Sequence, residues 1–424
     1  MLRFELVPPP GAITAAWVAE PIHGPSTSLV ADSCAACHRS HDAAGALLNG
    51  STPPQLGQCT SCHNGVAAPD VAAAYAGTPE NDPADRAYYR HEPTAFAGHI
   101  SATDDGFAGQ LNRHNECTDC HNPHNSTSAP SVAGPAGWTG SGRVTGATSV
   151  TATNGPSGPT YALVPSTALE YQLCLKCHSG YTQLPSNAGL PPSRFTLDKG
   201  IEFDPANLSY HPVEAAGTND TPAMALSLGG PSPYKRWSFT PDSTIRCVNC
   251  HADPQALAEP TPVPADASLP VHASVNRGIL IAPYKDRQLK GSVDAYAAAD
   301  FALCYLCHAE APFRDVTGNE RLDTNFRYHG IHVSGDNLLD HGLPGTDIDA
   351  ANDGGGLATC AECHFRIHST SFAVNGQPAG SRLVNFAPNV TAPTGGTITW
   401  RQKSATQTGT CAIKCHAQPH EDDY

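Results

Sequence analysis

The segment Arg113-His-Asn-Glu-Cys-Thr-Asp-Cys-His-Asn-Pro-His124 holds two cysteines three positions apart, a histidine directly after the second, and another histidine three residues on. The pattern recurs along the whole chain. All 16 cysteines fall into eight pairs, and each pair is followed at once by His. Seven have the form C-x-x-C-H: Cys34/Cys37/His38, Cys59/Cys62/His63, Cys117/Cys120/His121, Cys174/Cys177/His178, Cys247/Cys250/His251, Cys304/Cys307/His308 and Cys360/Cys363/His364. The eighth, Cys411/Cys415/His416, carries one extra residue between its cysteines.

C-x-x-C-H is the attachment signature of c-type haem. Two thiols on one tight turn reach the vinyl groups of a single porphyrin, and the next residue then lies under the iron, where imidazole is a good ligand. Paired cysteines also serve zinc sites and disulfides, but neither use requires His after the second Cys. With 21 His in 424 residues, eight placements out of eight by chance have a probability on the order of 10⁻¹⁰ or less, against a motif whose chemistry demands them. Haem is therefore expected on the seven standard motifs. It is also expected on the eighth, where the extra residue must loop out and a local disulfide is the alternative.

Eight histidines serve as proximal ligands and thirteen remain: His23, His41, His91, His99, His114, His124, His211, His272, His329, His332, His341, His368 and His420. Methionine cannot supply the second ligand widely, since the chain has only Met1 and Met224. Bis-His ligation without methionine implies low reduction potentials. His41 and His124 follow a proximal His by three residues, and His368 and His420 by four. On a helix such a residue lies one turn further along the same face, so it points at a neighbouring site rather than its own. His23 lies in a Pro-flanked extended segment that can fold over a nearby site. His211 (Ser-Tyr-His-Pro) and His272 (Pro-Val-His-Ala-Ser) complete the preferred set. His332 is preferred over His329 within Tyr-His-Gly-Ile-His-Val. His91, His99, His114 and His329 are held in reserve, and His341 reads as a solvated bystander.

Composition bounds the rest. A net charge of −15 argues against a nucleic-acid partner, and no run of about 20 apolar residues exists to span a bilayer. With 38 Gly, 38 Pro and 7 % aromatics, the chain alone would read as partly disordered. Covalently attached macrocycles would supply the missing apolar core. The expected fold class is mostly irregular coil with short helices and few short strands, an octahaem chain packed around a continuous row of haems.

The first cysteines of successive motifs are spaced by 25, 58, 57, 73, 57, 56 and 51 residues, a loose beat rather than a solenoid repeat. Tyr171-Gln-Leu-Cys-Leu-Lys-Cys-His178 parallels Phe301-Ala-Leu-Cys-Tyr-Leu-Cys-His308, which suggests duplication. One unit is expected over 1–424, with sub-modules 1–125, 171–300 and 301–424 and a Ser/Thr/Gly/Pro-rich connection at 126–170. Ser149-Val-Thr-Ala-Thr153 reads as a short strand and Ala297–His308 as a short helix. No secretory signal is visible, yet haem attachment resembles a process completed outside the cytoplasm, so a removed or missed leader is expected. Sequons at Asn49, Asn125, Asn207, Asn219 and Asn389 occur at a number chance explains equally well.

The chain resembles the multihaem c-type cytochromes built from doubled C-x-x-C-H modules. The marks are residues 113–124, Glu202-Phe-Asp-Pro-Ala-Asn-Leu-Ser-Tyr-His-Pro-Val213, Tyr328-His-Gly-Ile-His-Val333, Cys360-Ala-Glu-Cys-His-Phe-Arg-Ile-His368 and Cys411-Ala-Ile-Lys-Cys-His-Ala-Gln-Pro-His420. The resemblance implies a distal-ligand role for His124, His211, His332, His368 and His420, and a coil fold around closely stacked haems. It is similar further to extracellular cytochromes that polymerise into conductive filaments, whose first and last haems lie near the chain ends.

The resemblance thus implies electron transfer at the cell surface or outside the cell, with self-association into a filament. Redox partner cytochromes or a mineral or electrode surface would be the acceptors. A discrete periplasmic or surface carrier is the first alternative. An octahaem reductase or oxidase is the second, although all eight motifs end in His and none marks an open iron. A non-haem metal or structural protein is a third.

Overall fold

A computed structural model describes residues 23, 37–38, 56–71, 73, 89–91, 115–182, 198–257, 263–284, 296–314, 326, 329–334, 358–370, 380–387, 390–402, 409–415 and 418–420. For 331, 334, 401–402, 409–410, 415 and 418–420 the backbone alone is described. Cys34, His41, His99, His114, His341 and His416 lie outside these residues.

The described chain is mostly turns and coil, with helices of four to eight residues. The longest, Pro222–Gly229, starts where Thr221 caps the Met224 N–H and Pro222 supplies a preset φ. Three small antiparallel sheets are present: Tyr89–Arg90 with Ala273–Ser274, Ser149–Thr153 with Thr160–Val164, and a three-stranded sheet of Thr399–Gln402, Gly409–Cys415 and Gln418–His420. The expected strand at 149–153 is present. Within 126–170 that strand pairs with Thr160–Val164 as a hairpin. Its register runs from Ser149 opposite Val164 to Thr153 opposite Thr160. Val150 and Ser149 are fully buried. The helix expected at 297–308 is a 3₁₀ turn, Ala298–Phe301, continued by Ala302–Tyr305.

The apolar core is divided among the attachment motifs. Its largest cluster contains Trp237, Phe239, Val248, Leu269, Ile281, Leu303 and Leu306, with Cys250 and Cys307 packed against it. A second contains Phe301, Tyr305 and Val333, joined by Cys304 and Cys360. A third sets Cys411 among Phe386, Val390 and Ile413, and Cys363 packs against it. Cys411 is therefore part of the core, and Cys250, Cys304, Cys307, Cys360 and Cys363 pack directly against it. The first two motifs differ, since Cys37 and Cys62 are exposed. Among the described residues, no helix is long and apolar enough to cross a membrane.

Candidate functional site

Six motifs, from Cys59 to His364, share one local structure. The His backbone N–H donates to the carbonyl of the first cysteine four residues earlier, at 2.8–3.0 Å in every case. That closes a single helical turn and brings both thiols and the following imidazole to one side. The reason lies in the short x-x spacing, which leaves no room for an extended path between the cysteines. The eighth motif differs. Cys411 and Cys415 both lie in the strand Gly409–Cys415, where four residues of extended chain separate their Cα atoms by about 13 Å. That exceeds a disulfide span, roughly 4.4–6.8 Å between Cα atoms, and it does not form the single turn of the other six.

Successive turns bring their sulfurs close together. The thiols of Cys59 and Cys117, of Cys174 and Cys247, and of Cys304 and Cys360 are side-chain neighbours that shift one another's titration. Cys177 lies within electrostatic reach of Cys120, and Cys307 of Cys250. Each turn from the third to the sixth thus sends its first thiol to one neighbour and its second to the other. The result is a string in sequence order, motif two through motif seven. A tetrathiolate zinc site would instead gather all four sulfurs of two turns at one point. Among the described residues, no three His, Cys, Asp or Glu converge in that way. Burial also opposes thiolates here: it raises Cys120, Cys177 and Cys250 to about 12.

The sequence assigns one role to every motif cysteine, but two of them, Cys37 and Cys62, depart from the alternation at the start of the string. Cys37 is exposed, and it is Cys59, not Cys62, that comes within its electrostatic reach. The Gln58 amide ties the first motif to the second by donating to the Cys37 carbonyl at 2.9 Å. Cys62 is also exposed, and its sulfur meets the neighbouring Ser61 hydroxyl at 3.9 Å. The physical reason is that the second motif's turn buries its first thiol against Cys117, which leaves the opposite corner towards solvent. Cys363, at the other end, is half-buried. Its carbonyl accepts from the Asn385 N–H at 2.9 Å, and its side chain packs on the cluster that holds Cys411. The seventh motif therefore turns its second thiol towards the eighth through apolar packing.

Buried ion pairs tie the string together. Asp119, inside the third motif, meets Lys176, inside the fourth, at 3.3 Å. Glu170, before the fourth motif, meets Arg246, before the fifth, at 2.6 Å.

Among the described residues, five of the remaining histidines stand opposite motif histidines. Ring centres lie 5.9 Å apart for His38 and His124, 6.0 Å for His63 and His23, 6.2 Å for His121 and His272, 6.1 Å for His178 and His91, and 6.1 Å for His251 and His368. His211 is an electrostatic neighbour of His308, and His364 of His329. A metal bound between two imidazoles needs about 2 Å for each metal–nitrogen bond and about 1.2 Å from nitrogen to ring centre, hence about 6.4 Å between centres. The five measured separations fall just short of that span.

The ring nitrogens are disposed for the same purpose. Nδ1 of His23, His91, His121, His211, His251 and His364 bonds the backbone carbonyls of Pro123, Val271, Arg143, Ile367, Gly278 and Leu383. Nδ1 of His308 meets the Ser227 hydroxyl, and Nδ1 of His368 meets the Glu202 carboxylate. A carbonyl can only accept, so the ring must donate at Nδ1 and keep its lone pair at Nε2. Burial favours the neutral ring. It lowers His251 and His272 to about 4, and His308 and His329 to about 3, with neighbouring imidazoles adding to the effect. These rings fit the donor set of a six-coordinate haem iron on each turn.

A repeated clamp joins the non-motif histidines in twos. Pro123, Val271 and Ile367, whose carbonyls hold Nδ1 of His23, His91 and His211, directly precede His124, His272 and His368. In two cases the backbone adds a bond: His91 N–H to the His272 carbonyl and His211 N–H to the His368 carbonyl, both 2.9 Å. Each clamp therefore locks together the rings facing motifs one and two, three and four, and five and six.

Several positions differ from simple sequence expectation. His124 and His368 do reach another motif, but the segments leading to them are a turn and irregular coil, not helices. His91 and His329, held in reserve on sequence grounds, stand opposite His178 and beside His364. His332, preferred over His329, lies in the helix His329–Ser334 with its ring 5.8 Å from that of Phe326. No local signal could have ranked His91, because its partner strand is 180 residues away. Of His420 the backbone alone is described, in the strand Gln418–His420.

No family model matches the chain, and neither a curated protein nor a solved structure is similar to it.

Proposed function

We propose that the chain is an electron conduit carrying eight covalently attached c-type haems. The sulfurs of the motif cysteines would form the thioether links, at the surface for Cys37 and Cys62 and against the apolar clusters for Cys250, Cys304, Cys307, Cys360, Cys363 and Cys411. The eight motif histidines would be the proximal ligands. Bound haem supplies reversible one-electron iron chemistry. The protein's own part is to hold each group at two imidazoles, to exclude water, and to keep successive sites adjacent. His124, His23, His272, His91, His368, His211 and His329 are the second ligands assigned to sites one to seven.

The observation that carries this reading is the set of imidazole pairs spaced for one metal ion, combined with the string of neighbouring sulfurs on successive turns. Neutral rings locked at Nδ1 and apolar walls around the buried sulfurs support it. The eighth site rests on its motif alone. Every described motif imidazole faces a second imidazole or has one as its electrostatic neighbour. That favours transfer over catalysis at an open iron.

The resemblance to filament-forming cytochromes extends the proposal to polymeric wires at or beyond the cell surface, passing electrons to partner cytochromes or to a mineral or electrode. A discrete exported carrier would use the same sites. The test is a haem and iron assay on the purified exported protein with an electron paramagnetic resonance spectrum. Eight irons and eight covalent haems per chain, all low-spin, are expected. Zinc in place of iron, or no Soret band, refutes the reading. Cryo-electron microscopy of the same preparation separates filament from discrete carrier.

A further inference from the structure

Among the eight Nδ1 contacts, that of His368 stands apart chemically. Six others end on backbone carbonyls and one on a hydroxyl, whereas His368 donates to a carboxylate, Glu202 Oε2, at 2.7 Å. The carboxylate is fixed there. Glu202 is 2 % exposed and ends the short turn Lys199–Glu202. Asp198 caps the start of that turn by accepting from the Gly200 and Ile201 N–H groups. The Asn207 amide closes its end on the Ile201 and Glu202 carbonyls. The Lys199 N–H donates to the carbonyl of His178, which anchors the turn to the fourth motif. Lys199 Nζ lies 2.7 Å from the same Glu202 oxygen, and Arg366 is a further cation within electrostatic reach. Phe203 packs its ring 5.1 Å from His368 and shields that side.

We infer that Glu202 is a positioning residue that sets the reduction potential of the fifth site, through its hydrogen bond to His368. The inference rests on the reading of His251 and His368 as the two axial ligands of one haem iron. A carboxylate accepting from Nδ1 draws the proton away from the ring and makes Nε2 a stronger donor than a carbonyl does. The stronger donor and the fixed negative charge both favour ferric over ferrous iron. The fifth site is thereby held lower in potential than it would be with a neutral acceptor. A haem held there would exchange one electron. No proton moves and no bond breaks, since Glu202 stays anionic throughout. Lys199 works in the opposite direction by neutralising part of the charge. The string then contains one low step in its interior, at the site clamped to the sixth by the His211–His368 bond.

The test is a spectroelectrochemical titration of the holoprotein with Glu202→Gln and, separately, Lys199→Gln. Glu202→Gln keeps the shape and removes the charge, so one of the eight midpoint potentials is expected to rise and seven to stay. Lys199→Gln is expected to lower that same potential. The site is identified by electron paramagnetic resonance: the low-spin signal that moves must be the one His368→Ala converts to high spin. A merely structural role for Glu202 would not give opposite shifts from the two variants. Eight unchanged potentials in both variants, with full haem content, overturn the inference and leave the haem reading intact. Absence of covalent haem in the parent protein instead overturns the haem reading. If Glu202→Gln does not fold, Lys199→Gln alone decides, and no fall at that site is a refutation.

Discussion

Replacing Arg246 by Met is expected to destabilise the protein by about 3–5 kcal/mol, because one partner of a buried ion pair is removed. Arg246 Nε and Nη2 both lie 2.6 Å from Glu170 Oε2, and the two side chains are 3 % and 11 % exposed. Nη1 also donates to the Ala265 and Ala267 carbonyls, the latter at 2.7 Å. The guanidinium sits 5.7 Å from the Trp138 ring. Methionine preserves most of the stem and its packing, so the loss reports the charged head. Burial pushes the Glu170 carboxyl up and Arg246 pulls it down. Without Arg246 the carboxyl takes a proton, which limits the loss and keeps it from the much larger cost of a bare buried charge. Two carbonyls also lose a donor, at about 1 kcal/mol each. Urea unfolding followed by circular dichroism at neutral pH measures the change as a lower midpoint with unchanged slope. The double variant Glu170→Gln/Arg246→Met removes both charges and is expected to recover most of the loss. A single variant within about 0.5 kcal/mol of the parent, which is the range of an ordinary surface substitution, would refute the argument. So would a double variant no better than the single one.

Three further outcomes are expected. His91→Ala should convert one haem in eight to high spin while intact mass shows all covalent links retained; an all-low-spin spectrum would remove His91 from the ligands. Glu214→Gln should flatten the acid-to-neutral stability profile. Burial raises the Glu214 carboxyl to about 7, opposed by its bond from Asn154. The folded state therefore holds the proton more tightly than the unfolded one. The associated stability is full below about 4.5 and gone above about 7, a swing of up to about 3 kcal/mol. Identical profiles for parent and variant would contradict it. Gly137→Ala should cost about 2–4 kcal/mol in the same unfolding assay. Gly137 has φ +107°, and a Cβ there would stand 2.8 Å from the Val213 carbonyl oxygen and 3.0 Å from the Tyr171 ring. A neutral effect would mean that this turn relaxes freely.

The residues of the candidate sites were legible in the sequence because attachment chemistry is local. Two thiols and an imidazole within five residues must form one turn, and six motifs do so with the same backbone bond from His to the first Cys. The strand at 149–153 was legible for the same reason, since β-branched residues alternate there over a short span. The eighth motif was not, because strand pairing of 409–415 with 399–402 and 418–420 overrides the local preference for a turn. Nor did the motifs reveal that Cys37 and Cys62 face solvent while Cys363 packs inside, because identical turns are buried to different depths by the segments that cover them.

The tertiary structure alone decided which imidazole faces which. His272 meets a motif 151 positions earlier, His211 lies beside His308, and His91 is brought opposite His178 next to the two-residue pairing of 89–90 with 273–274. Such pairings carry no periodicity and no spacing rule, because they depend on where long coil segments return. Burial then fixed what composition could not show. An imidazole enclosed by apolar neighbours stays neutral, and a carbonyl at Nδ1 leaves Nε2 as the free donor. At His368 that acceptor is the carboxylate of Glu202, 166 residues away. The sequence determined what each turn can bind, since bonding within five residues follows from residue order. Folding determined the order of the sites and the electrostatic setting of each, since both arise from contacts between segments far apart in the chain.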